Sequence, residues 1–90
     1  MAEPKKLYVV EVSYRGYDST LDRRIEKAAG RPSDGSGAYL STLPWRDLTW
    51  DYTVKRYAEA LVKRLKAARI THRCGKKIEK IKVQLHVYED

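Results

Sequence analysis

The 90-residue sequence has a single cysteine, Cys74, and no long apolar run. One cysteine cannot form an internal disulfide, which is typical of proteins in a reducing compartment. Residues 1–6 are polar and charged with no apolar region behind them, so we expect no signal peptide. No apolar run approaches the roughly 20 residues that span a bilayer. These absences predict a cytoplasmic protein without a membrane partner.

Acidic side chains are scarce in the C-terminal part of the chain. Residues 1–54 hold eight Lys or Arg and eight Asp or Glu, whereas residues 55–90 hold eleven against four. The second part therefore accounts for the whole net charge of +7. Such a concentration of charge attracts polyanions, although a solvated helix with solubilising charges has the same composition.

The spacing of apolar residues changes several times along the chain. Two-residue alternation predicts strands over residues 7–14, 38–43, 46–53 and 78–88. A 3.6-residue period predicts helices over residues 19–29 and 54–68, the first with a capping box from Ser19 to Asp22 and a stop at Gly30. Residues 32–37 read as a flexible loop, and residues 69–77 read as a turn.

The predicted order of strand, helix, strand, strand, helix, strand resembles the ferredoxin-like βαββαβ arrangement. That resemblance implies one α+β domain over residues 1–90, with two helices on one face of a four-stranded antiparallel sheet ordered 4-1-3-2. The other sheet face is then free. We expect it to carry Glu11, Asp47 and Asp51, paired across strands with Lys80 and Lys82.

Several activities of such folds are disfavoured by the residues present. Carboxylates at the centre of the free face repel phosphate and cannot stack a base, as an RNA-recognition sheet does. Acylphosphatases need an Asn that positions water, and this chain has no Asn. His72 and Cys74 lack an orienting third group for nucleophilic catalysis. We therefore expect no enzyme activity, no cofactor and no metal site.

A basic turn is the first candidate binding surface. It comprises Arg69, His72, Arg73, Lys76 and Lys77, and Lys80 and Lys82 continue it along the last strand. Gly75 permits a sharp bend between these side chains. Such a cluster is suited to grip a phosphate backbone, but a solvated, charged turn has the same residues.

An aromatic segment is the second candidate. Trp45 follows Pro44 and is out of register with the predicted core residues, so we expect it to lie at the surface beside Arg46. Together with Tyr39, this is the composition of a protein-binding hot spot. A lid over one end of the core is the alternative role for Trp45.

The glycine loop Gly35-Ser36-Gly37 and the segment Arg46-Asp47-Leu48-Thr49-Trp50 resemble those of small, mostly uncharacterised bacterial and phage proteins with this topology. Phage proteins of this size often inhibit host defence complexes, including CRISPR effectors. The resemblance therefore implies an anti-CRISPR type of inhibitor that docks on protein or occupies a nucleic-acid channel.

We accordingly predict a non-catalytic protein that binds nucleic acid or a nucleoprotein complex through the basic C-terminal surface. The alternative is an inhibitor or adaptor that docks on a host protein complex through protein–protein contacts. Homodimer formation stays open, because free faces and edges of such sheets often pair.

Overall fold

The computed structural model describes residues 6–39 and 44–89. Its elements are β1 (Lys6–Arg15), α1 (Ser19–Ala29), β2 (Gly35–Tyr39), β3 (Trp45–Tyr52), α2 (Lys55–Ala67), β4 (Thr71–Cys74), β5 (Lys77–Lys80) and β6 (Lys82–Glu89). Four strands form an antiparallel sheet in the order β2-β3-β1-β6, and β4 and β5 form a separate two-stranded ribbon. An α+β fold with two helices and a four-stranded antiparallel sheet is thereby confirmed.

The core lies between one face of the sheet and the two helices. Alternate residues of β1 and β3 point into it, among them Val10, Val12 and Trp50, none of which is exposed. Leu21 and Ile25 of α1 and Leu61 and Leu65 of α2 complete it. Burial of each such side chain contributes about 1.5–3 kcal/mol, so this face fixes the register of the strands.

Helix α1 begins differently from the predicted capping box. Asp18, not Ser19, is the N-cap: its Oδ1 accepts hydrogen bonds from the amides of Thr20 at 2.9 Å and Leu21 at 3.3 Å. Asp22 is buried and turns towards the sheet instead of the helix end. Gly30 ends the helix with φ of 88°, as predicted, because glycine adopts this left-handed conformation without a Cβ clash.

The connection from α1 to β2 is anchored to β3, although its composition indicated flexibility. Asp34 accepts from Arg31 Nη1 at 2.9 Å and from the Asp51 amide at 2.7 Å, and these bonds hold the pKa of Asp34 below its usual value. Strand β2 therefore begins at Gly35, before the predicted residue 38, and residues 40–43 lie outside the described residues. A Cβ at Gly35 would lie 2.8 Å from Thr49 Oγ1, so a larger residue there would require the Thr49 side chain to shift.

The predicted turn over residues 69–77 is correct at Gly75 and Lys76 but too long, because residues 71–74 and 77 lie in strands. Residues 71–80 form a hairpin, hereafter the ribbon, with Gly75 at its tip at φ of 63°. Ile81 separates the ribbon from β6, and its amide donates to the Ile70 carbonyl at 3.3 Å. The predicted last strand over residues 78–88 is therefore split, and Val87 near its end is half exposed.

Across residues 6–39 and 44–89, neither helix has the length and hydropathy needed to cross a membrane.

Candidate functional site

The two predicted binding surfaces meet at one end of the molecule, and Arg15 joins them. Arg15 is the last residue of β1 and lies opposite Trp45 in the strand register. Its guanidinium carbon is 5.7 Å from the centroid of the Trp45 ring, and its Nη1 is 3.9 Å from Glu79 Oε1 on the ribbon. Arg15, Trp45 and the ribbon thus form a continuous surface, hereafter the ribbon end.

Trp45 is 39% exposed, so part of its side chain lies at the surface. The amide of Gly16 donates to the Pro44 carbonyl at 2.7 Å, which fixes the start of β3 against the loop after β1. Tyr17, in the same loop, is also exposed. Tyr39 pairs with Trp45 in the strand register, and its side chain lies outside the described part of the chain.

Arg46 does not share the exposed surface of Trp45. Consecutive strand residues point to opposite faces, and Arg46 lies on the helix side, where its Nε donates to Asp22 Oδ2 at 3.0 Å. The Tyr14 hydroxyl donates to the other oxygen of Asp22 at 2.5 Å. Burial, reinforced by that hydrogen bond, raises the pKa of Tyr14. Arg46 is therefore part of a buried polar cluster that joins β1, β3 and α1.

Six exposed cations surround the ribbon: Arg69, Arg73, Lys76, Lys77, Lys80 and Lys82. Glu79 is the one acid between residues 69 and 82, so the local excess is five positive charges. Among the ion pairs of the described residues, Glu79 pairs with Arg15 and none involves the six cations. The structure thus brings the predicted basic residues together without neutralising them.

His72 differs from the other residues of the predicted basic turn. It packs edge-on against Tyr14, with ring centroids 5.4 Å apart, and its Nε2 is buried without a hydrogen-bond partner. This contact holds the ribbon against the body of the protein. His72 therefore does not face outward with Arg73, although it adjoins Arg73 in sequence.

The free face of the four-stranded sheet is acidic and polar, as predicted. The strand register places Val9 between Asp51 and His86, and Ser13 between Asp47 and Lys82. Burial and the nearby Glu11 raise the pKa of Asp47.

The predicted pairing of these acids with Lys80 is wrong, because Lys80 lies on the ribbon. Glu11 Oε1 lies instead 3.5 Å from His86 Nε2, a contact that is attractive when the imidazole is protonated and is not a hydrogen bond. Within the described residues, no group of three His, Cys, Asp or Glu side chains is arranged to hold a metal ion.

Sequence reasoning missed Arg15 as part of the surface. Arg15 is the last residue of β1 and precedes Gly16, whose φ is 94°. Loops between strands and helices often carry binding residues, so an arginine beside this glycine is the signal that could have found it. No protein-family model, curated protein or solved structure is significantly similar to this chain.

Proposed function

We propose that this protein binds nucleic acid, alone or within a nucleoprotein complex, through the ribbon end and without catalysing a reaction. The observation that carries the proposal is the ribbon: cations project from a hairpin whose one carboxylate, Glu79, is paired with Arg15. Unpaired Lys and Arg side chains bind phosphates and release counterions, a contribution that does not depend on sequence.

The acidic free face of the sheet is a poor site for nucleic acid, which supports the ribbon end as the binding surface. Glu11, Asp47 and Asp51 lie on the two central strands, where phosphates would be repelled. No aromatic residue of β1 or β3 other than Trp45 shares that face, since Tyr14, Trp50 and Tyr52 point towards the helices. Nucleic acid is therefore expected at the ribbon end and not across the sheet.

We also infer a ferredoxin-like fold. With β6 counted as the fourth strand, the order β6-β1-β3-β2 agrees with 4-1-3-2. The ribbon between α2 and β6 is then an addition to the basic arrangement. Since the fold hosts many functions, the proposal depends on the ribbon and not on the fold.

Fluorescence anisotropy with labelled duplex and single-stranded oligonucleotides across a salt series tests the proposal. If four ribbon cations contact phosphates of a duplex, the logarithm of the affinity falls with the logarithm of salt with a slope of about −3.6. The double variant Arg73→Glu/Lys77→Glu should weaken binding at least about tenfold.

The matched control is Arg56→Glu/Lys63→Glu, which makes the same charge change on the exposed side of α2. Equal loss in both double variants would mean that net charge, and not the ribbon, attracts the nucleic acid. Absence of binding at low salt would refute the proposal.

A second candidate, an inhibitor or adaptor that docks on a host protein complex such as a CRISPR effector, is favoured by Trp45. An exposed Trp with an arginine stacked on it is typical of interface hot spots. Pull-down from nuclease-treated lysate distinguishes the two: protein partners that persist and are lost in Trp45→Ala would favour docking. Partners that disappear with nuclease treatment would favour nucleic-acid binding.

A further inference from the structure

The two faces of the ribbon differ in charge and in surroundings. Residues directly opposite in an antiparallel pair share a face, so His72 and Glu79 lie on one face, where they contact Tyr14 and Arg15. The other face is open to solvent at Arg73 and Ile78, whereas Lys80 near the base of the hairpin borders a cavity beside α2. This face carries Thr71 with Lys80 and Arg73 with Ile78. The inner face thus carries the acid and, next to the tip, Lys77, whereas the outer face carries Arg73 and Lys80 and no acid.

Ile78 is the most exposed large hydrophobic residue of the described chain, at 71%. It lies directly opposite Arg73, two residues from Lys80 and one pair from the tip of the hairpin. Because its side chain contacts little of the protein, folding does not require an apolar residue there. An apolar side chain next to two cations, one across the hairpin and one along the strand, matches a surface in which charges contact phosphates and the apolar group meets the bases.

Resting on the proposed function, we propose that the ribbon is an arm that enters the minor groove of double-stranded DNA and bends it with Ile78. Arg73 and Lys80 contact the flanking phosphates, and Ile78 wedges into a base step. Apolar wedges of this kind, Ile among them, partly unstack a step and kink the duplex towards the major groove. Two residues along a strand span about 6.7 Å, which is the rise of about two base pairs.

Duplex DNA fits this surface better than other nucleic acids. Single strands bind by stacking their bases on aromatic side chains, and none lies on the outer face of the ribbon. Double-stranded RNA is recognised across a wide, shallow minor groove by its shape and 2′-hydroxyls, for which a narrow arm with a wedge is not suited. His72 contacts Tyr14 and Glu79 contacts Arg15, and these contacts hold the base of the arm. The ribbon can therefore stay in place while the DNA bends around it.

The test measures the end-to-end distance of a 25-bp DNA duplex by energy transfer between dyes at its two ends. One duplex carries a central TA step, which kinks easily, and a second carries a central A-tract, which is stiff. The unaltered chain should shorten the first duplex more than the second. Ile78→Ala should abolish the shortening and weaken affinity about tenfold, and Ile78→Leu should retain both.

The matched control is Val87→Ala, a truncation of another half-exposed apolar residue, on β6 and outside the ribbon. It should bend DNA as the unaltered chain does, with circular dichroism confirming that each variant is folded. The inference is overturned if Ile78→Ala bends DNA as much as the unaltered chain does. It is also overturned if the unaltered chain binds single strands or double-stranded RNA more tightly than duplex DNA. If the inference is overturned but Arg73→Glu/Lys77→Glu still weakens binding, the proposed function stands. If the unaltered chain binds no nucleic acid, both the inference and the proposed function are refuted.

Discussion

The Tyr14 hydroxyl connects β1 to the start of α1, and Tyr14→Phe removes that connection while keeping the ring. The oxygen lies 2.5 Å from Asp22 Oδ1 and 3.0 Å from the Asp18 carbonyl, and it accepts from the Asp18 amide at 3.1 Å. Tyr14 is 2% exposed and Asp22 is 7% exposed, so water does not readily replace these contacts. The variant therefore leaves buried polar groups with one partner fewer.

The expected loss of stability follows from the charge of Asp22. A hydrogen bond to a charged group contributes about 1.5–3 kcal/mol, and Asp22 keeps its ion pair with Arg46 at 3.0 Å. We expect Tyr14→Phe to lower the free energy of unfolding by about 2 kcal/mol. For a domain of this size each 1 kcal/mol lowers Tm by about 4–8 °C, so Tm should fall by about 8–16 °C.

Urea unfolding at neutral and alkaline pH is the assay. Because the folded-state pKa of Tyr14 is raised above 10.0, its stabilising contribution is complete below pH 10 and is lost as pH rises through the raised pKa. The unaltered protein should therefore lose stability above pH 10 more steeply than Tyr14→Phe. The difference in stability between the two should narrow in that range.

Tyr88→Phe is the matched control, because Tyr88 is 56% exposed. Its free energy of unfolding should change by less than about 0.5 kcal/mol. A similarly small change in Tyr14→Phe, or a stability difference that stays constant above pH 10, would refute the role assigned to the Tyr14 hydroxyl.

Three further predictions concern other parts of the chain. Gly30→Ala should lose about 1 kcal/mol or more in urea unfolding, because φ is 88° and the new Cβ would lie 3.0 Å from Arg64 Nη1; unchanged stability would contradict this. Asp34→Ala should lose about 1 kcal/mol and speed hydrogen exchange of the Asp51 amide, which loses its acceptor; unchanged exchange would count against the anchor. Lys76→Ala should make the salt slope of DNA affinity shallower by about one, whereas an unchanged slope would mean that Lys76 contacts no phosphate.

The main strands and helices were predictable because they bury one face. Val10 and Val12 in β1, and Leu61 and Leu65 in α2, repeat at the periods of a strand and a helix that cover a core. The ribbon was not predicted because it lacks such a buried apolar face. Its outer face carries Arg73 and the exposed Ile78, and a hairpin that covers no core leaves no apolar alternation in the sequence.

The sequence predicted which charged residues belong to the site, but it did not predict which side chains contact one another there. Trp45 and Arg46 adjoin in sequence and were expected on one surface, yet consecutive residues of a strand face opposite sides. The partner of Arg46 is Asp22, 24 residues away, and the arginine stacked on Trp45 is Arg15. Both contacts follow from the register of β1 with β3, which the sequence does not reveal without the positions of the turns.

Substitutions in the ribbon test binding, whereas substitutions in the buried polar cluster around Tyr14 test stability. Arg73, Ile78 and Lys80 lie on a face that contributes little to the core, so changes there should alter binding while leaving the free energy of unfolding nearly constant. Changes at Tyr14 remove buried contacts and should act on folding first. Arg15 connects the two regions through Glu79 and Trp45. Loss of binding in a ribbon variant of unchanged stability is therefore evidence about the surface, and the same loss in a cluster variant is not.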